Sequence, residues 1–220
     1  MNANDRALKV AEFLLEIEAI KLNPENPFTW ASGLRSPIYC DNRKTLSYPE
    51  VRSFIRDAFT ATIRESFSRA EVIAGVATGG IAIGALVAEA LNLPFIYVRS
   101  EAKKHGLGNQ VEGVLKPHQR VVVIEDLIST GSSSLKAVDA LREAEADIVG
   151  MVAIFTYGFA TAANRFTEKN CAIKTLSNYD ALLDQAVNSG AITPNQQETL
   201  SSWKSNPEEW SEQFQANQTL

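Results

Sequence analysis

The sequence predicts an α/β protein: a central, mainly parallel sheet flanked by helices, preceded by a small N-terminal hood. Three observations carry the prediction. The run Val121, Val122, Val123, Ile124 is apolar at every position, so it reads as a strand covered on both faces. Strand-like and helix-like patterns alternate from residue 72 onward, the βαβ rhythm of an open sheet. With 220 residues, 45% hydrophobic and 21% charged, the chain can bury a full core, and residues 1–220 are expected to form a single domain.

Each element has its own signal. Leu8, Ala11, Phe13, Leu14, Leu15 and Ile17 recur at helical spacing over about 5–20, and Asn23-Pro24 with Asn26-Pro27 marks a turn after them. Residues 28–41 read as mixed and short-stranded. A second helix is expected over about 47–68, with Ser47 as N-cap, Pro49 in the first turn and Glu50 completing a capping box. Strands follow at 72–76, 95–99, 121–124, 148–155 and 172–176, with helices between them at 82–91, 135–144 and 161–168. The tail, 177–220, reads as three short helices. The last two are announced by Thr193-Pro194 with Gln196 and by Asn206-Pro207 with Glu209. Trp203, Trp210 and Phe214 are expected to pack this tail against the body.

Composition narrows the function. A formal charge of -5 argues against a protein that lives on nucleic acid or on anionic membranes. Cys40 and Cys171 are too few for a disulfide framework and have no metal-ligand partners nearby, which fits a cytoplasmic, reduced setting. No apolar run reaches membrane-spanning length, and Met1 to Asp5 lack the pattern of a signal peptide.

The apolar run at 121–124 ends in Glu125 and Asp126, followed by Leu127, Ile128, Ser129, Thr130, Gly131, Ser132, Ser133 and Ser134. Ligands of parallel sheets bind beyond the carboxyl ends of the strands, where this cluster falls. Helical spacing resumes at Leu135, Val138 and Leu141, so the serines open a helix whose free amides favour a phosphate. Two acids beside an anion site need hydroxyls or a cation to face, and a sugar phosphate supplies both a diol and a phosphate. An ordinary capped turn is the competing account, though capping takes one Ser or Asp rather than such a cluster. Neither the P-loop lysine nor a G-x-G-x-x-G is present. A second turn, Gly75 to Gly80 with Thr78, Gly79 and Gly80 at its end, lies between a strand and a helix. Its glycines would let backbone amides approach diphosphate oxygens, unless they serve a plain left-handed turn.

The segment VVVIEDLISTGSS closely resembles the diphosphoribosyl-binding motif of the type I phosphoribosyltransferases. The resemblance implies that family's fold and a substrate, 5-phosphoribosyl 1-diphosphate (PRPP), held by Glu125, Asp126, Leu127, Ile128, Ser129, Thr130, Gly131, Ser132 and Ser133, with its diphosphate at Thr78, Gly79 and Gly80. It implies transfer of the ribosyl group to a base with loss of pyrophosphate, and Asp126 as a catalytic residue. Magnesium is the implied cofactor, held mainly by PRPP, with Glu125 and Asp126 the candidate protein ligands.

Residues 99–113, RSEAKKHGLGNQVEG, form a long polar stretch that reads as a flexible loop over the site. A solvated charge run is the alternative. The segment resembles the catalytic loop of the orotate phosphoribosyltransferases, with Arg99, Lys103 and His105 matching position by position. By that resemblance Arg99, Lys103 and His105 bind the diphosphate. It also implies that Lys103 and His105 are catalytic and reach the active site of the neighbouring subunit, making a homodimer with shared active sites the working unit. Cations arriving over a departing pyrophosphate stabilise the transition state more than the ground state. Ser100 stands where many relatives have a lysine.

Residues 28–43, FTWASGLRSPIYCDNR, resemble the hood of the same family within a hood subregion at 20–45. The resemblance implies that Ile38 and Tyr39 flank orotate, that Arg35 or Arg43 neutralises its carboxylate or the diphosphate, and that Ser129 touches the base or bridges it to the ribose. Ala31, Thr78 and Gly79 stand where some members carry lysines or a Tyr-Lys pair, a leaner cation set. The expected activity is condensation of orotate with PRPP to orotidine 5'-monophosphate and pyrophosphate, a step of pyrimidine synthesis. The alternatives are a phosphoribosyltransferase for another base and a non-catalytic PRPP-sensing regulator.

Overall fold

The protein is described by a computed structural model over residues 1–30, 32–101 and 110–217. Its centre is a six-stranded sheet built from β5 (Val72–Val76), β6 (Phe95–Val98), β7 (Val111–Glu112), β8 (Arg120–Ile128), β9 (Asp147–Thr156) and β10 (Ile173–Asn178). The strand order is β10-β9-β8-β5-β6-β7, parallel except for β7, which pairs antiparallel with β6. β8, the strand with the continuous apolar run, sits inside the sheet between β5 and β9, and Val121 to Ile124 are fully buried. A strand with helices on both faces has no solvent side, which is why its apolar residues do not alternate with polar ones.

Alternation along β8 splits the core in two. Val122 and Ile124 face one layer with α1 (Ala3–Glu16), α2 (Pro49–Ser66), α3 (Gly79–Leu91) and α6 (Tyr179–Asn188). Val121 and Val123 face the other, filled by Leu135, Val138 and Leu141 of α4 (Ser132–Glu143) and by Ala162 and Phe166 of α5 (Ala160–Glu168).

Ahead of the sheet, β1 (Ile20–Leu22) pairs with β4 (Ile38–Cys40), and β2 (Phe28–Thr29) pairs with β3 (Arg35–Ser36), both antiparallel. A 3-10 helix, Asn42–Ser47, follows. Two expectations change here. α1 stops at Glu16, because Glu18 turns left-handed at φ 53° and the chain then pairs as β1. Ser47 does not cap α2: it ends the 3-10 helix, and Tyr48 is the N-cap without a side-chain hydrogen bond. Tyr48 precedes Pro49, and a residue before proline is driven to the extended conformation that an N-cap needs.

The tail continues through α6, α7 (Pro194–Ser205) and α8 (Pro207–Asn217). Asn178 caps α6, and Thr193 with Gln196 forms a complete capping box on α7. At α8 the Asn206 side chain accepts from the Glu209 amide and donates to the Glu209 carboxylate. Trp203 is fully buried among Trp30, Tyr157, Phe159 and Tyr179, which joins the tail to the body.

Candidate active site

The carboxyl ends of β5 and β8, the start of α4 and the end of the hood enclose a cavity of about 420 Å³. Its walls carry Cys40 to Arg43, Val76 to Gly79, Glu125 to Leu127, and Ser129, Thr130, Gly131 and Ser133. Crossovers of parallel strands put these turns side by side although they lie far apart in the chain.

The two acids differ sharply. Glu125 is 5% exposed, and its carboxylate accepts hydrogen bonds from the Asp126 amide at 3.0 Å and from the Ser134 hydroxyl at 2.9 Å. Burial, with the charge of Asp126 next, pushes its pKa up to about 8. Asp126 is half-buried, and its carboxylate lies against Gly79. A β-carbon at Gly79 would overlap that carboxylate, and one at Gly80 would overlap the Ile124 carbonyl. Neither glycine has a positive φ, so close approach, not a left-handed turn, accounts for both. The Ala77–Thr78 peptide beside them is cis.

Gly131 adopts φ 78° at the N-cap of α4, where a side chain would also meet the Phe166 ring. No side chain caps α4, and its opening residues Gly131 and Ser133 line the cavity, where the first amides of a helix favour an anion. The three serines there divide their work. Ser133 lines the cavity, Ser132 accepts from Arg165 at 2.7 Å, and Ser134 turns inward to Glu125. Arg165 also donates to the Thr130 carbonyl at 3.0 Å. Sequence reasoning missed this cation because it lies in α5, more than thirty residues downstream, and only the βαβ crossover brings it to the loop.

Of the other expected site residues, Thr78, Gly79, Leu127, Ser129 and Thr130 line the cavity. Gly80 is buried behind it. Ile128 is also fully buried, and its carbonyl accepts from the Thr156 hydroxyl. Arg99 follows β6 and lies 3.5 Å from Glu112. Lys103 and His105, with Lys104, fall outside the described residues, as does Ala31.

In the hood, Ile38 is fully buried, its side chain turned to the core by the β1–β4 register, and it is not among the residues lining this cavity. Tyr39 points the opposite way, 41% exposed with its ring 5.8 Å from Phe28. The Arg35 guanidinium donates to Thr29. The hood residues at the cavity are the next four. Asn42, 2% exposed, donates to the Asp126 carbonyl at 2.6 Å and accepts from the Cys40 thiol. Arg43 forms an ion pair with Asp41 at 2.6 Å, which holds the Asp41 carboxyl below its ordinary range. A three-residue strand leaves the register, and hence the inward set, unreadable without the partner strand.

Among the described residues no cluster of three or more His, Cys, Asp or Glu side chains could hold a metal. Asp126 at the cavity wall fits magnesium in the manner typical of that ion, which keeps waters and takes one or two carboxylates plus substrate phosphates, whereas both oxygens of the buried Glu125 already accept from the Asp126 amide and the Ser134 hydroxyl. No helix among the described residues is long and apolar enough to cross a membrane.

Residues 48–184 match the family model described as the phosphoribosyl transferase domain. The chain is 56% identical over 200 residues to an orotate phosphoribosyltransferase of Bacteroides fragilis, covering 91% of this chain and 94% of that protein. Among solved structures, the orotate phosphoribosyltransferase of Aeropyrum pernix superposes with a TM-score of 0.73 at 28% identity, covering 84% of this chain and 99% of the other. The UMP synthase of Leishmania donovani gives 0.75 at 26% identity over 90% of this chain, which spans 42% of that larger protein. Matched by that family model over residues 48–184 and by that relative at 56% identity over 200 residues, the chain belongs to the phosphoribosyltransferase family, and within it to the orotate phosphoribosyltransferases.

Proposed function

We propose that the protein transfers the 5-phosphoribosyl group of PRPP to orotate, giving orotidine 5'-monophosphate and pyrophosphate in pyrimidine synthesis. The observation that carries this reading is the cavity itself, where Asp126 and the amides opening α4 line one space of a size to take a sugar phosphate. The likeness to relatives of that name over most of the chain supports orotate as the base.

In this reading the phosphate of PRPP sits on the amides and hydroxyls of Thr130 to Ser133, supported from behind by Arg165. Asp126 accepts from the ribose diol, and Glu125 carries the diol's second contact or steadies Asp126 through its own amide bond. The diphosphate lies toward Thr78 and Gly79, and the bare Cα of Gly79 leaves room for Asp126. The base occupies the hood side, between Ser129 and Cys40 to Arg43, with Arg43 an exposed cation on the cavity wall for its carboxylate.

The bond from the ribosyl carbon to the diphosphate oxygen breaks, the electron pair leaves with pyrophosphate, and the deprotonated ring nitrogen of orotate forms the new bond. Negative charge grows on the leaving group, so Arg99 with Lys103 and His105 of a neighbouring subunit stabilise the transition state, in a homodimer. Magnesium, when bound, neutralises diphosphate charge. The reading places the enzyme in the cytoplasm and assigns no role to nucleic acid or membrane.

An assay following orotate consumption on PRPP addition tests the proposal. Orotate should disappear only with PRPP and magnesium present, and chelation with EDTA should stop it. Consumption of PRPP with a purine base but not with orotate would overturn the base assignment.

A further inference from the structure

We propose that the C-terminal helices α7 and α8 position the hood for the base, so that Ser211 and Trp203, neither of which lines the cavity, set the affinity for orotate. The proposal rests on the assignment of the base to the hood made above.

Both the hood and these two helices lie outside residues 48–184, the part matched by the family model, and the structure packs them on each other. The β2–β3 hairpin has only two residue pairs, Phe28 with Ser36 and Thr29 with Arg35. A lone hairpin of this size is not stable in water. Its support comes from the tail. The Arg35 amide donates to the Ser211 hydroxyl at 2.9 Å, across 176 positions of sequence, and Ser211 is 2% exposed. Gln196 of α7 adds an exposed bond to Glu25 at 3.0 Å.

A second line of contact leads directly toward the cavity. Trp203, fully buried, packs edge-on against Trp30 with ring centroids 5.7 Å apart. The Trp30 indole N–H donates to the Ile38 carbonyl at 3.2 Å. Two residues later comes Cys40, the first hood residue on the cavity wall, and then Asn42, bonded to the Asp126 carbonyl. The tail is itself anchored on the body, because the Tyr179 hydroxyl donates to the Leu200 carbonyl and Lys204 pairs with Asp180. A brace held at one end by α6 and at the other by the hood fixes where β4 delivers its residues. The PRPP cradle is built from β5, β8 and α4, and Asn42 reaches it at the Asp126 main-chain carbonyl rather than at a side chain facing the ligand.

The test measures kcat and both KM values, for orotate and for PRPP, on full-length wild type, Ser211→Ala and Trp203→Phe, with a thermal melt of each. Loss of one buried acceptor should raise the orotate KM of Ser211→Ala about three- to tenfold. The PRPP KM and kcat should stay within about twofold, and Trp203→Phe should shift the same constant in the same direction. A role confined to stability would lower the melting point and the active fraction, hence kcat, without separating the two KM values. The proposal is overturned if folded Ser211→Ala keeps the wild-type orotate KM or if both KM values rise together; should Trp203→Phe fail to fold, Ser211→Ala decides alone. Wild type that ignores orotate but turns over another base refutes the base assignment instead, and the same KM separation is then read with that base.

Discussion

Replacing Glu125 with glutamine should stabilise the free protein at neutral and alkaline pH while impairing its chemistry. The carboxyl is buried beside Asp126, and its pKa is pushed up to about 8 from an ordinary 4.5. Because the folded value is the higher one, the folded state keeps a proton that the unfolded chain has already lost between those two pH values. Stability therefore falls as pH rises through that window and levels off above it. At about 1.4 kcal/mol per pH unit the whole window corresponds to about 5 kcal/mol, and relaxation of a group at a cavity wall reduces this to roughly 2–4 kcal/mol. Glutamine has no such window and keeps an oxygen for the Asp126 amide bond. Thermal melts of both proteins at steps from pH 5.5 to 8.5 should show the variant pulling ahead as pH rises, by roughly 5–15 °C in melting temperature at the alkaline end. Its kcat/KM for PRPP should meanwhile fall about tenfold or more at pH 8.5, where the wild-type carboxyl has ionised and a contact to the diol loses its charge in the variant. A stability difference that stays constant across that pH range would refute the reasoning, because no proton would then be linked to folding at Glu125.

Three further outcomes follow from the same geometry. Gly79→Ala forces the Asp126 carboxylate aside, so kcat/KM for PRPP should drop about 10²-fold with the far-UV circular dichroism spectrum unchanged; full activity would show that Asp126 tolerates displacement. Arg165→Ala removes the donor to the Thr130 carbonyl and Ser132 hydroxyl, and steady-state kinetics should show the PRPP KM raised about three- to tenfold at nearly constant kcat. Lys103→Ala should lower kcat about 10²-fold, the size of one lost electrostatic donor at a leaving group, and an unchanged kcat would take this lysine out of the mechanism.

What could be read from the linear chain was whatever depends on near neighbours. Val121 to Ile124 announced a doubly covered strand because burial on both faces forbids polar alternation, and Ser132 to Ser134 announced a helix start because free amides there need partners. The capping box at Thr193 was legible for the same reason: its two hydrogen bonds close within four residues. Tertiary structure decided the rest. It sent Ser134 inward to Glu125 and Ser132 outward to Arg165, although three consecutive serines look alike in sequence. It buried Ile38 and put Cys40 to Arg43 at the cavity, since two- and three-residue strands take their facing from a partner strand and carry no period of their own. It also laid the tail on the hood through Ser211 and Trp203, a contact between opposite ends of the chain. Local hydrogen-bonding and burial requirements leave a pattern in consecutive residues, whereas the side on which a side chain finds its partner is set by the packing of elements far apart in sequence.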